Sequence, residues 1–335
     1  MSGSDLSESI IRRRMHGLYL SRRHGDLVGL ARELMGLHCW FYRNVCFSAL
    51  IRGADIIGWK DALTKTWLYR GTLHGAAYDE LPTLLALHSD ELGLGRWYGG
   101  EAVEAFEAEV VRRMEDGVYS RAEFRRIFAD DYDARFLEAM LSPWGGVFVR
   151  LARQGKVAFR DMASRDFDMV SVEPVQTRDE VLPGLLRRYF TVYGPATLKD
   201  AAMFFGFWKA DARKLRDIPL DGLDRFTLDR QDYYYSGVDD TADIPEMTLL
   251  SGFDPLMSAY ADRRDILPAE YKKRVILSSG ICLPTIAVNG RVAGLWNIKG
   301  NEPVVEFFET QPPRIARAAA DSVDMIRRRV AARRF

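Results

Sequence analysis

The sequence has no excess of charge of either sign. Its 335 residues contain 47 Lys and Arg and 47 Asp and Glu, so the formal net charge at pH 7 is zero. Binding to phosphate depends on clustered Lys and Arg, and the balance therefore excludes a protein coated uniformly for nucleic acid. A local basic surface is still possible, because residues 314–335 hold seven Arg against two Asp.

Cysteine and long apolar runs are also scarce. Cys39, Cys46 and Cys282 fit neither a paired disulfide framework nor a C-x-x-C metal site, so we expect a reducing compartment, no metal and no cofactor. The absence of an apolar N-terminal segment and of a run of about 18 apolar residues predicts a cytoplasmic protein without a membrane partner. No coiled-coil repeat favours a dimer, and we expect a monomer.

Two distant segments share one pattern of apolar residues around a glycine. Residues 31–40 read A-R-E-L-M-G-L-H-C-W, and residues 201–210 read A-A-M-F-F-G-F-W-K-A. An apolar helix, a turn glycine and a second helix would form a helix-turn-helix, used at least twice. In the first copy the second helix is expected to open near His38 and run towards Leu50, and in the other it is expected at 208–215.

Local signals predict elements between and after these copies. Ser120 with Glu123 three residues later indicates a helix start, and Pro143 predicts a break in the apolar stretch 134–154. The β-branched and aromatic content of 66–74 predicts one strand, with Arg70, Thr72 and His74 on a shared face. We also expect a helix at 101–115, a strand at 156–160, a helix at 182–193 and a strand at 226–235.

The C-terminal part changes to short β-like runs. T-I-A-V, then Asn289-Gly290, then R-V-A-G-L-W predicts a two-residue hairpin, because Asn-Gly suits a type I′ turn. Strand character continues at 304–308, and an Arg-rich segment follows. We expect a small β-sheet or barrel and then an Arg-rich helix.

Five fragments, in order along most of the chain, carry a family resemblance. They are G-L-H-C-W at 36–40, W-L-Y-R-G-T-L-H at 67–74, Y-G-P-A-T at 193–197, F-D-P-L at 253–256 and N-G-R-V-A-G-L-W at 289–296. Together they resemble the AlkZ/YcaQ-type winged-helix DNA glycosylases. The resemblance implies an α+β, mainly helical fold: three tandem winged-helix units and a small C-terminal β-barrel, C-shaped around a duplex. The expected domains are 1–100, 101–175, 176–240 and 241–335.

The resemblance also implies an activity and a place for it. Family members hydrolyse the N-glycosidic bond of N7-alkylpurine, or related bulky or crosslinked, nucleotides in double-stranded DNA. A Gln-x-Gln or Gln-x-Asp motif is implicated in placing water, and this chain has His38 and Trp40 at those positions. His38 could place or activate water as a general base, since a free imidazole titrates near ~6.5. Trp40 could stack on a base or shield the site, but its side chain has no acceptor oxygen.

Further residues are candidates for contact with DNA. Arg70, Thr72 and His74 are expected to line the same concavity as His38 and to contact phosphate or the lesion. On the second helix of the later copy, the candidates for phosphate contacts are Lys209, Arg213 and Lys214. An exposed, solvated helix face is the alternative interpretation of those three side chains.

Two other functions are compatible with the sequence. One is a non-catalytic winged-helix DNA-binding protein on the same scaffold, which would bind DNA without releasing a base. The other is a protein that sequesters a small molecule in an aromatic-rich cleft. Added salt separates them, because phosphate contacts make affinity fall steeply with salt, whereas binding of a buried apolar ligand changes little.

Overall fold

Apolar periodicity and capping side chains divide the chain into short helices and hairpins. A computed structural model describes residues 3–87, 100–173, 176–207, 210–237 and 243–332. The chain forms two compact units by its contacts. The first unit comprises Met1–Leu34, Arg43–Ile57 and Pro183–Phe335, and the second comprises Met35–Tyr42 and Gly58–Leu182.

The elements follow one another in short segments. In the first 87 residues they are α1 Gly3–Gly17, α2 Leu27–Glu33, β1 Leu37–His38, α3 Arg43–Ile51, α4 Trp59–Ala62, β2 Thr64–Trp67, β3 Leu73–Ala76 and α5 Leu81–Ala86. Between residues 100 and 173 they are α6 Glu101–Glu115, α7 Arg121–Ile127, α8 Ala134–Met140, α9 Gly146–Arg153, β4 Val157–Phe159 and β5 Phe167–Met169.

The remaining elements belong mainly to the first unit. Up to residue 237 they are α10 Arg178–Tyr193, α11 Leu198–Phe205, α12 Ala210–Lys214, β6 Asp224–Leu228 and β7 Gln231–Tyr235. After residue 243 they are β8 Met247–Leu250, α13 Pro255–Ser258, α14 Lys272–Val275, β9 Thr285–Val288, β10 Arg291–Lys299, β11 Glu302–Phe307 and α15 Pro313–Ala331.

The strands form small antiparallel sheets. The second unit holds a three-stranded sheet in the order β1-β3-β2 and the hairpin β4-β5, and the first unit holds the hairpin β6-β7. The C-terminal strands form a four-stranded sheet in the order β11-β10-β9-β8. Because this sheet stays open, the predicted β-barrel is wrong: strands β11 and β8 are its two edges, and α15 packs on it.

A buried ion pair anchors α3 in the first unit. Arg52, just after α3, donates to both carboxylate oxygens of Asp254 at 2.9 and 3.0 Å, and both side chains are fully buried. Asp254 also caps α13 by accepting from the backbone N–H of Leu256. Because an unpaired buried charge is costly, Arg52 must stay beside Asp254, and this holds the end of α3 in place.

An aromatic cluster forms the core of the second unit. Trp67 of β2 lies 4.9 Å from Phe159 between ring centroids, and Phe148 stacks on Phe167 at 4.1 Å. The guanidinium of Arg121 lies 4.7 Å from the Phe167 ring centroid. Burial of this guanidinium is the largest cause of its pKa shift, and it lowers the pKa of Arg121 to about 10.

Several local predictions are confirmed. Helix α6 has the predicted bounds, Ser120 and Glu123 form a capping box, and the stretch around Pro143 is divided into α8 and α9. Asn289 and Gly290 both have positive φ, 48° and 78°, as a type I′ turn requires. The fold is mixed α and β, as expected, and the division into three winged-helix units stays a prediction.

Candidate functional site

The candidate catalytic segment is a short strand in the second unit. After α2 the chain turns at Met35 and Gly36, whose φ values are 54° and 105°. It then forms β1, in which Leu37 pairs with Gly75 and His38 pairs with His74 of β3. The prediction that a helix opens near His38 is therefore wrong, because α3 begins only at Arg43.

The backbone conformation explains why a glycine stands at position 36, because side chains rarely adopt its φ of 105°, whereas the space around it would allow a Cβ atom. A Cβ atom there would lie 3.4 Å from the Cβ atom of His74. The backbone N–H of Cys39 donates to the carbonyl of Leu73 at 2.9 Å, which extends the pairing of β1 beyond its two residues. The turn thus brings the segment after it against β3.

Burial alternates along this segment. Leu37 and Cys39 are fully buried, whereas His38 and Trp40 are partly exposed. Within β1 the side chains of Leu37 and His38 point to opposite faces of the sheet, and the chain bends at Trp40. On the face of His38 the cross-strand neighbours His74 and Thr66 are only 5% and 2% exposed, so His38 lies at the edge of a buried row.

Two histidines and a threonine form a row across this sheet. The register pairs His38 with His74 and His74 with Thr66. The two imidazole centroids are 5.6 Å apart, with the rings nearly perpendicular at 76°. His74 Nδ1 lies 3.1 Å from the Thr72 carbonyl, which can only accept, so Nδ1 carries the proton and Nε2 is the acceptor of neutral His74.

The surroundings of His38 keep its imidazole neutral. Burial lowers the pKa of His38 well below 6.5, and the neighbouring His74 and the charge of Arg70 lower it further. A neutral imidazole can accept a proton, and a charged one cannot. His38 is therefore in the form that a general base needs at pH 7 and below.

The segment carrying Arg70 and Thr72 is a hairpin and not the single strand that was predicted. Strands β2 and β3 are joined by Tyr69–Gly71, and the Leu68 N–H donates to the Thr72 carbonyl at 3.1 Å. Arg70 lies in this connection with φ 55°, so it does not share a strand face with His74. Its charge still acts on His38, and both Arg70 and Thr72 are partly exposed.

Trp40 has an aromatic neighbour that the sequence did not suggest. Its ring stacks on Trp144, with the centroids 4.2 Å apart and the planes 14° from parallel. Trp144 lies between α8 and α9 and is 73% exposed. The only sequence signal was a Trp between Pro143 and two glycines, which is a loop signal and does not reveal its partner.

The predicted phosphate contacts of the later copy belong to the first unit. Arg213 and Lys214 lie in α12, and both are exposed. Lys209 lies outside the described residues. The prediction of a single strand at 226–235 is wrong, because the chain turns at Asp229 and Arg230, both with positive φ, and the range holds most of the hairpin β6-β7.

Other chemistries find little support in the described part of the chain. Burial raises the pKa of Cys39 and of Cys46 to about 12 and that of Cys282 to about 11, so all three thiols stay protonated and are poor nucleophiles. Within the ranges that the structure describes, no three His, Cys, Asp or Glu side chains are grouped to hold a metal ion. None of the described helices is both long and apolar enough to cross a bilayer.

Comparison with known proteins gives a consistent result. The sequence pattern of the family described as "DNA glycosylase AlkZ-like" matches residues 60–332. An interstrand DNA cross-link repair glycosylase of Streptomyces sahachiroi is 26% identical, over 74% of this chain and 73% of its own. The solved structure of the Streptomyces sahachiroi DNA glycosylase AlkZ superposes with a TM-score of 0.73 at 23% identity, covering 96% of both chains.

Proposed function

This chain belongs to the AlkZ-like DNA glycosylase family, and we propose that it is a DNA repair glycosylase acting on N7-alkylated purine nucleotides. The observation that carries the proposal is His38 in β1, which is partly exposed, pairs with His74 of β3 and is kept neutral by burial. The family match starts at residue 60, so it does not include His38 and Trp40. The roles proposed for these two residues rest on the motif resemblance and on the geometry around β1.

The proposed reaction is hydrolysis of the glycosidic bond with His38 as the general base. N7-alkylation leaves the purine cationic, so the base departs without a general acid. The oxygen of a water attacks C1′, the C1′–N9 bond breaks, and its electron pair neutralises the purine. The proton of the water passes to the neutral imidazole of His38.

Trp40 has a different part in this proposal. Its indole has a donor N–H and no acceptor, so it cannot orient water as a carboxamide oxygen does. Its stack with Trp144 leaves it as an apolar wall beside His38. Shielding the reacting sugar from bulk water strengthens the electrostatic effect of His38 on the transition state.

The substrate is double-stranded DNA that carries the lesion. The name of the Streptomyces sahachiroi relative, an interstrand cross-link repair glycosylase, favours extending the proposal to bulky and crosslinked lesions. We propose Arg70 and Thr72, which are partly exposed, as contacts near the lesion. His74, predicted with them from the sequence, is only 5% exposed, and its proposed part is to support His38 from the neighbouring strand. The proposed phosphate contacts of the later copy are Lys209, Arg213 and Lys214.

The wider organisation is proposed with the function. Three tandem winged-helix units at 1–100, 101–175 and 176–240 would position the duplex, and the open sheet with α15 would follow at 241–335. We expect the protein to act in the cytoplasm as a monomer, with no metal and no cofactor.

The test is release of free base from a duplex that contains a single N7-methylguanine. The wild-type protein is expected to accelerate release above spontaneous depurination, and His38→Ala is expected to lower the rate constant by about 100-fold or more. His38→Gln restores an acceptor oxygen and should retain more activity than His38→Ala. Release no faster than the no-protein control, with salt-sensitive binding to the duplex intact, would replace the enzyme with a DNA-binding protein.

A further inference from the structure

The stacked pair of Trp40 and Trp144 has an unusual exposure. Trp144 is 73% exposed although it packs on Trp40 at 4.2 Å with nearly parallel rings. One face of its indole is therefore used by Trp40, and most of the remaining surface meets solvent. An indole left in water at a fixed orientation is a surface on which another flat ring can stack.

The loop around Trp144 has a defined backbone conformation. The Trp144 N–H donates to Ser142 Oγ at 3.2 Å, which ties the residue back to the start of the loop. Gly146 has φ 77°, and a Cβ atom there would lie 2.1 Å from the Met140 carbonyl oxygen, so the start of α9 packs closely on the end of α8. The backbone that carries the indole is thus fixed between α8 and α9, and the indole itself packs on Trp40.

The stack is beside the proposed reaction site. Trp40 and His38 are two residues apart, and two residues of chain span at most about 7 Å. A ring stacked on the indole pair would accordingly be close to a water held by His38. Phe41, which is 45% exposed, adds apolar surface next to Trp40.

We propose that Trp144, supported by Trp40, is the residue that stacks on the alkylated base and selects it over normal bases. This inference rests on the proposed function and names the contact that recognises its substrate. An N7-alkylated purine is flat and positively charged, and the face of an indole attracts both flat rings and cations. A neutral guanine offers the stacking contribution alone, which makes the contact selective for the cationic base.

Binding and base release by Trp144→Ala test the proposal. The full chain is titrated with three duplexes that differ at one position: N7-methylguanine on a 2′-fluoro sugar that slows depurination, unmodified guanine, and a tetrahydrofuran abasic site. A stacked base is worth about 5- to 150-fold in affinity, the equivalent of ~1–3 kcal/mol, and the variant should lose that factor for the methylated duplex. Its affinity for the abasic duplex should not change.

Two further variants exclude a general loss of structure. Tyr78→Ala removes another exposed aromatic side chain of the same unit, 55% exposed, and should bind all three duplexes as the wild type does. Trp144→Phe keeps a flat ring and should recover most of the lost affinity. In the wild type, binding of the methylated duplex should quench tryptophan emission. The contribution of Trp144 to this quench should be absent in Trp144→Phe, so the total quench should be smaller.

The outcomes separate this proposal from the proposed function. Unchanged affinity of Trp144→Ala for the methylated duplex, or an equal loss for all three duplexes, overturns the stacking role. If base release by the variant equals that of the wild type at low substrate concentration, hydrolysis stands and the stacking role fails. If the wild type releases no base but selective binding depends on Trp144, the stacking role stands and hydrolysis fails.

Discussion

The two turns that share a sequence pattern, at Gly36 and Gly206, lead into different structures. Gly206 caps α11 in the left-handed conformation, with φ 80° and ψ 23°, and the next helix, α12, begins at Ala210. At the first turn two consecutive residues, Met35 and Gly36, have positive φ, and the chain enters strand β1 before α3. A similar pattern of apolar residues thus supports a helix-to-helix turn in one place and a strand bearing His38 in the other.

The helices that follow the two turns differ as well. Seven consecutive residues of α3, from Asn44 to Leu50, are buried, so this helix has no face left to enter a groove of DNA. In α12, Arg213 and Lys214 are exposed. In the first copy the helix after the turn is therefore part of the core and the turn leads into the candidate site, whereas in the later copy the helix after the turn exposes two cations.

The largest expected loss of stability comes from breaking the buried ion pair at the end of α3. Asp254→Asn leaves the charge of Arg52 buried without a carboxylate, and both side chains of this pair are fully buried. Loss of one partner of a buried pair costs ~3–5 kcal/mol in the free energy of unfolding. Urea denaturation followed by circular dichroism measures it.

An exposed pair in the same unit supplies the control. Asp262 lies 2.7 Å from Arg264, and the two side chains are 45% and 76% exposed. Asp262→Asn should cost less than ~1 kcal/mol, since solvent screens such pairs. If Asp254→Asn and Asp262→Asn lowered the free energy of unfolding equally, the buried ion pair at the end of α3 would contribute no more to stability than an exposed pair.

The next effect compares the two turn glycines directly. Gly36→Ala places a side chain at φ 105°, at a cost of ~1–3 kcal/mol in backbone strain, whereas Gly206→Ala at φ 80° should cost ~1–2 kcal/mol. Only the substitution at Gly36 should also lower base release, because it displaces β1. Thermal unfolding and single-turnover base release measure the two quantities. A loss of release in Gly206→Ala as large as in Gly36→Ala would remove the functional difference between the turns.

The smallest expected effect concerns the exposed helix α12. Arg213→Ala should weaken binding of any duplex a few-fold and reduce the slope of log affinity against log salt by about 0.9, as loss of one phosphate contact does. Arg112→Ala is the matched control, because Arg112 is exposed but paired with Glu109 and Asp116. The affinities of both variants for a duplex are measured at several salt concentrations. Identical slopes of log affinity against log salt for Arg213→Ala and Arg112→Ala would argue against phosphate contact by α12.

Elements with local signals could be predicted from the sequence. The bounds of α6 follow from its amphipathic period, Ser120 caps its helix through Glu123 three residues away, and Asn289-Gly290 forms its turn without distant partners. The candidate residues His38 and Trp40 were found by a motif resemblance, which needs no knowledge of their surroundings. Such features depend on neighbours along the chain.

Features that depend on distant partners could not be predicted. Strand β1 has two residues, and its pairing depends on His74 far along the chain, so periodicity favoured a helix start. Arg70 adopts a left-handed conformation inside a segment with strand composition. The stack of Trp40 on Trp144 joins two loops more than 100 positions apart, and the closure of a C-terminal barrel could not be judged from the alternation of its strands.

The most direct test of neutral His38 as the general base is the pH dependence of base release, compared between the wild type and His38→Gln. In the proposed mechanism the neutral imidazole is the active form, and burial, with His74 and Arg70, lowers the pKa of His38 below 6.5. The single-turnover rate constant of the wild type, corrected for spontaneous depurination, should stay constant as pH falls from 8 through ~6.5 and decline only below that. The glutamine variant should show no such decline. A wild-type inflection at or above pH ~6.5, or the same profile in both proteins, would contradict the role of His38.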